Sequence, residues 1–299
     1  MKKYVIITDS CSDLDKTLRE KFDIRYVSHT YSYDNKTELA ILDWDDNDAK
    51  YFYDIMRAGK RIMTSQVHAN EYKKAFEEAI SEGYDILSLS VSTGLSSSYY
   101  ASVKVKDELL KKYNDAKIIC IDTLRACLGL GMICIRASEL RSEGKTIEEV
   151  AKWIEDNKQT IHQEAAADKL TYLKQAGRVT ATSAFFGGLL NIKPIIISDI
   201  RGKNVAVEKV KGRKKSLERI AERIKEKITN VPYQRILLGH ADCIEDALVL
   251  KELVMNILDN KDIEIYITHI GPIIGASVGP GMIGIYFFGT EETHDSEAK

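Results

Sequence analysis

The chain has 299 residues, 44% of them hydrophobic and 29% charged, with a formal net charge of −2, enough apolar material to bury the cores of two domains. That balance lacks the strongly basic footprint by which nucleic acid or an anionic membrane is held, and no uninterrupted apolar stretch reaches transmembrane length. Cys11, Cys120, Cys127, Cys134 and Cys243 form no C-x-x-C pair and no zinc-ligand spacing; reduced thiols, a cytoplasmic protein and no metal are the expectation.

From the N-terminus, "KYVIITD", "YDILSLSVS" and "AKIICID" are short runs rich in β-branched residues. Set between helical patterns, they predict buried parallel strands. The helix "NEYKKAFEEAISEG" places Tyr72, Ala75, Phe76 and Ala79 on one face and stops at Gly83, and "TIEEVAKWIEDN" opens with a Thr146 to Glu149 capping box. Residues 1–160 therefore read as an α/β domain with a mainly parallel sheet, whose ligands bind beyond the carboxyl ends of the strands.

Residues 161–290 change rhythm. "IKPIIIS" and "NVAVEKVKG" flank a turn containing Gly202, the pattern of a β-hairpin, and "KKSLERIAERIKEKI" repeats Leu217, Ile220, Ile224 and Ile228 at helical spacing. A further strand, a helix from about Cys243 to Leu258, and the strands "IEIYITHI" and "MIGIYFF" complete an α+β domain with a mainly antiparallel sheet. Residues 291–299 read as a frayed acidic tail.

The densest chemistry is "SVSTGLSSSYYASV", residues 90–103, with no histidine or acid beside it. A nucleophile elbow would need G-x-S-x-G, and Gly94-Leu95-Ser96-Ser97-Ser98 lacks the second glycine. Two readings stay open: Ser96 or Ser97 caps the following helix, or the hydroxyls join the free N–H groups of a helix start as a cradle for a carboxylate or phosphate. Thr64 and Ser65, in "MTSQ", form a second hydroxyl pair. Neither a G-x-x-x-x-G-K-[ST] loop nor a G-x-G-x-x-G turn is present.

"IITDSCSDL", "TSQ", "STGLSSSYYAS", "IDTLRACLGLG", "LTYLKQAGRVTATSAFFGGLLNIKPII" and "GASVGPGMIGIYF" resemble, in this order, the DegV family. The resemblance runs from about residue 4 to residue 289. It implies a lipid site between the two domains and a fatty-acid carrier that is not itself an enzyme. Such a carrier works without a cofactor and presents a long-chain fatty acid to a separate ATP-binding fatty acid kinase subunit. The acyl-phosphate then passes to an acyltransferase of phospholipid synthesis. Ser96 and Thr64 match the residues that hold the carboxylate, with Ser65 beside them, while Ser97 and Ser98 are expected to serve the helix cap and to matter less. Ser277 stands where the family has the histidine of G-x-H-x-G-P-G, and His269 is a candidate substitute. Arg178 matches the arginine associated with docking the kinase. Phe185, Phe186, Leu189, Leu190 and Ile192 are candidates for lining the tail. Lys211, Arg213, Lys214 and Lys215 read as a solvated helix end. A carrier of another apolar acid and a serine-dependent esterase are the alternatives.

Overall fold

The computed structural model describes residues 2–180, 191–259 and 262–298. Its first part contains β1 (Tyr4–Asp9), α1 (Lys16–Lys21), β2 (Ile24–Val27), β3 (Thr30–Tyr33), β4 (Lys36–Leu39), α2 (Asp46–Arg57), β5 (Met63–Ser65) and α3 (Ala69–Ser81). Then come β6 (Asp85–Ser90), α4 (Ser98–Leu109), β7 (Ile118–Asp122), α5 (Leu128–Ser142) and α6 (Ile147–Asn157). The second part runs through β8 (Ile161–Ala166), α7 (Leu170–Ala176), β9 (Val179–Thr180), β10 (Ile192–Ser198), β11 (Asn204–Lys211) and α8 (Arg213–Lys227). It closes with β12 (Ile236–His240), α9 (Ile244–Ile257), β13 (Ile265–His269), α10 (Pro272–Val278) and β14 (Ile283–Phe288).

The first sheet is parallel, in the order β2-β1-β6-β7. Side-chain alternation along its strands feeds two cores. Val5, Ile7 and Ile86 pack with Tyr72 and Phe76 of α3 and Val105 and Leu109 of α4, whereas Ile6, Leu87 and Leu89 face α5. The larger sheet, β13-β12-β14-β8-β10-β11-β9, is mixed: four of its pairings are antiparallel, and β12–β13 and β11–β9 are parallel. One face packs on α8 and α9 through residues such as Leu238, Ile285 and Phe287, and the other sends Ala165, Leu237 and Tyr286 back toward α5. The first half of α5, from Leu128 to Ile135, is therefore buried on all sides, as a helix clasped between two sheets must be, and charged residues enter only from Arg136 onward.

Local signals are realised where they act over a few residues. Thr146 and Glu149 form the reciprocal capping box, Gly83 ends α3 at φ +86°, and Gly202 turns the β10–β11 hairpin at φ +71°. Two features depart from the sequence reading. A small antiparallel sheet, β4-β3-β5, stands apart from the other two and carries Thr64 and Ser65. The tail is not frayed over its described residues: Asp295 pairs with both Nε and Nη2 of Arg201 at 2.7 and 2.9 Å, and the Ser296 hydroxyl donates to Asp199. No helix among the described residues is long and apolar enough to cross a membrane.

Candidate functional site

Three separate segments bring hydroxyl groups to one cavity of about 340 Å³, within the size range of small-molecule pockets. Strand β5 supplies Thr64 and Ser65, the turn after β6 supplies Thr93, Ser96 and Ser97, and α10 supplies Ser277. Val91, Leu95, Ile273, Ile274 and Val278 form an apolar wall. Strand β5 is held by β3 in the register Tyr31↔Thr64. The Ser96 turn is wound by Leu95 and Ser96 N–H groups donating to the Ser92 carbonyl, each at 3.0 Å. Helix α10 starts from a loop tied to the first half, where Tyr53 Oη donates to the Ile270 carbonyl at 2.7 Å and Gly271 N–H donates to Asp13 Oδ1 at 3.1 Å.

A histidine reaches the hydroxyl run from outside its sequence neighbourhood. His29, between β2 and β3, is 2% exposed, with Nε2 3.0 Å from Ser98 Oγ and Nδ1 3.0 Å from Ser10 Oγ. Ser98 Oγ lies 2.9 Å from Ser96 Oγ. Burial, with no charged partner to oppose it, lowers the His29 pKa to about 3, so the ring is neutral across the physiological range. Ser97 holds the cap position of α4 but makes no side-chain cap bond; Ser96 Oγ accepts the Ser98 N–H instead. Ser98, expected to serve the helix cap, instead joins the imidazole to Ser96 through its fully buried hydroxyl. Asp9, Cys11 and His29 place three potential ligand atoms within 4.8 Å of one another. Their donors are already engaged, Asp9 accepting from Cys11 and Val91 N–H groups and His29 meeting the two serines.

Of the residues singled out from sequence, Thr64, Ser65, Ser96, Ser277 and Arg178 all line this cavity. Ser277 Oγ bonds back to the Ile273 carbonyl at 3.5 Å. His269 is not its substitute: it pairs with Asp46 at 2.7 Å in a separate cleft with Asp13 and Trp44. Ile192 begins β10 opposite Lys211 and is not part of the cavity wall; Phe185, Phe186, Leu189 and Leu190 lie outside the described residues. Arg178 is exposed at the rim, where it also borders a second cavity of about 160 Å³ with Lys60, Arg61 and Tyr172. In the basic run, Arg213 is bound to Asp246 at 2.8 Å. Sequence reasoning missed His29, Asn204 and the α10 wall. Pro272 at the helix start and Gly279 after its end were readable boundary signals for α10, whereas nothing local marks His29.

These features define a three-sheet α/β protein with a hydroxyl-lined cavity where the small sheet, the β6 turn and α10 meet. The family model for DegV ("Uncharacterised protein, DegV family") matches residues 3–290, and the chain belongs to the DegV family. A DegV domain-containing protein of Clostridium perfringens is 38% identical over 289 residues, covering 97% of this chain and 98% of that one. Among solved structures, a fatty-acid-binding DegV family protein of Thermus thermophilus superposes with a TM-score of 0.84 at 26% identity, over 97% of this chain and all of that one. A DegV lipid-binding protein of Thermotoga maritima gives 0.83 at 26% identity with the same coverage.

Proposed function

We propose that the protein binds a long-chain fatty acid, with the carboxylate in the cradle formed by Thr64, Ser96 and Ser277 and the chain against apolar residues. The observation that carries this reading is the convergence of hydroxyls from three elements on one cavity whose remaining wall includes Val91, Leu95, Ile273, Ile274 and Val278. The lipid-binding and fatty-acid-binding relatives support it. Burial of a methylene contributes about 0.8 kcal/mol, so the tail supplies most of the affinity and the cradle orients the head group. The carrier presents the carboxylate to a separate ATP-dependent kinase. A carboxylate oxygen bonds to the γ-phosphorus there, the bond from that phosphorus to the β–γ bridging oxygen breaks, and ADP leaves. Arg178, exposed and lining the same cavity, is the residue we assign to docking that partner.

An esterase would put its nucleophile on both the imidazole and the cavity. Ser98 touches His29 but is fully buried, while Ser96 lines the cavity one hydroxyl removed from the ring. Organic extraction of purified protein followed by mass spectrometry is expected to release a long-chain fatty acid in stoichiometric amount; a polar metabolite or another apolar acid refutes that ligand. Because a hydrogen bond to a charged group contributes about 1.5–3 kcal/mol, Ser96→Ala is expected to weaken fatty-acid binding roughly 10- to 150-fold and leave the alcohol of equal length nearly unaffected. Covalent labelling of Ser96 by a fluorophosphonate would favour the esterase instead.

A further inference from the structure

We propose that His29 is a positioning residue that fixes the direction of a buried hydrogen-bond chain, Ser10–His29–Ser98–Ser96, so that the Ser96 hydroxyl hydrogen points into the cavity. The identity of the ligand rests on the fatty-acid reading above; the direction of the chain rests on the following contacts.

Ser10 is fully buried, and its Oγ accepts the His29 backbone N–H at 3.0 Å. Among the described residues its one other polar partner is His29 Nδ1, also at 3.0 Å. The Ser10 hydroxyl hydrogen therefore goes to Nδ1, which acts as acceptor, and in a neutral ring the proton then resides on Nε2. Nε2–H donates to Ser98 Oγ at 3.0 Å, and Val67 N–H donates to the same oxygen at 3.1 Å. With both acceptor positions of Ser98 occupied, its own hydrogen is directed at Ser96 Oγ, 2.9 Å away. Ser96 Oγ also receives the Ser98 N–H at 3.3 Å, which leaves the Ser96 hydroxyl hydrogen for the cavity that this residue lines.

The opposite wiring, with the proton on Nδ1, would give Ser10 Oγ two incoming donors and leave its own hydrogen buried without an acceptor. It would also open an acceptor site on Ser98 Oγ to the Ser96 hydrogen, which would then no longer be committed to an incoming carboxylate. The proposed arrangement satisfies every member and offers the cavity a donor. Direction thus becomes a specificity device: a carboxylate, which only accepts, is favoured over an alcohol, which adapts to either wiring.

Two measurements on the full chain test this. Long-range proton–nitrogen correlation spectra of ¹⁵N-labelled protein, with the His29 signals assigned by their loss in His29→Gln, are expected to show a neutral ring with hydrogen on Nε2; hydrogen on Nδ1, or an imidazolium, overturns the proposal. His29→Leu is expected to weaken palmitic acid about tenfold while hexadecan-1-ol changes little, and His29→Gln, which keeps an N–H donor toward Ser98, to recover most of the loss. Equal weakening of acid and alcohol without recovery in His29→Gln makes His29 merely structural. If His29→Leu does not fold, the tautomer decides alone. A wild-type chain that ignores palmitic acid refutes the fatty-acid reading, and the tautomer still settles the wiring.

Discussion

Asp13 is 2% exposed beside the loop that leads into α10, and while Oδ1 accepts the Gly271 N–H, Oδ2 has no hydrogen-bond partner among the described residues. Burial raises its carboxyl from the ordinary 3.8 to about 7. The folded protein consequently holds a proton that the unfolded chain has already released. The associated stability is complete below the unfolded pKa and is lost as pH rises through the folded one. Asp13→Asn keeps an acceptor for Gly271 and cannot ionise. Relative to wild type it is expected to gain about 2 kcal/mol between about pH 5.5 and about pH 8, read from urea unfolding; a difference constant with pH would contradict the assignment. Residues of this kind show where sequence reading of the site stopped. Ser96 and Thr64 were legible because hydroxyls cluster at the carboxyl ends of strands and match a family pattern. His29 was not, because its role depends on a fold that brings Ser98, 69 positions later, against its ring.

Among elements, the hydroxyl turn and the β10–β11 hairpin turn of the second half meet at glycines, with no room for a side chain between them. A Cβ at Gly94 would lie 3.0 Å from the Gly202 carbonyl oxygen, and one at Gly202 would lie 2.1 Å from Ser92 Oγ and 2.9 Å from Leu124 Cα. Gly202 also has φ +71°. Gly202→Ala is expected to cost about 3 kcal/mol through left-handed strain and overpacking together. Gly144→Ala, at φ +85° with open space around it, should cost only about 1 kcal/mol. Denaturant midpoints distinguish the two; equal losses would show that the contact at the hairpin turn contributes nothing. The hairpin, the helix stops and the capping box were readable because their signals span a few residues. The three-stranded sheet was not: β4 is exposed throughout, so its short hairpin with β3 shows no apolar alternation, and β5 has three residues and reaches β3 only across the intervening α2. The βαβ unit of β12, α9 and β13 was legible in principle, since a helical crossover joins parallel strands.

At the scale of the whole molecule, α5 belongs to the first half by sequence and to both halves by packing. Leu128 sits where a Cβ at Gly239 of β12 would touch it, Tyr286 of β14 approaches Gly129, and Leu14 lies over Gly131. Neither sheet owns a complete core, so loss of one uncovers the other. Cooperativity follows from that shared helix: calorimetry of the intact chain is expected to show one melting transition rather than two. A bound lipid should shift that transition as a unit, because stabilisation of the native state by mass action does not distinguish the halves when they unfold together. Two resolved transitions would mean that the α5 interface is weak. If they merge, a chain divided after residue 160 leaves α5 with one bare apolar flank, and the half without it with an uncovered sheet, so neither piece persists as a folded unit.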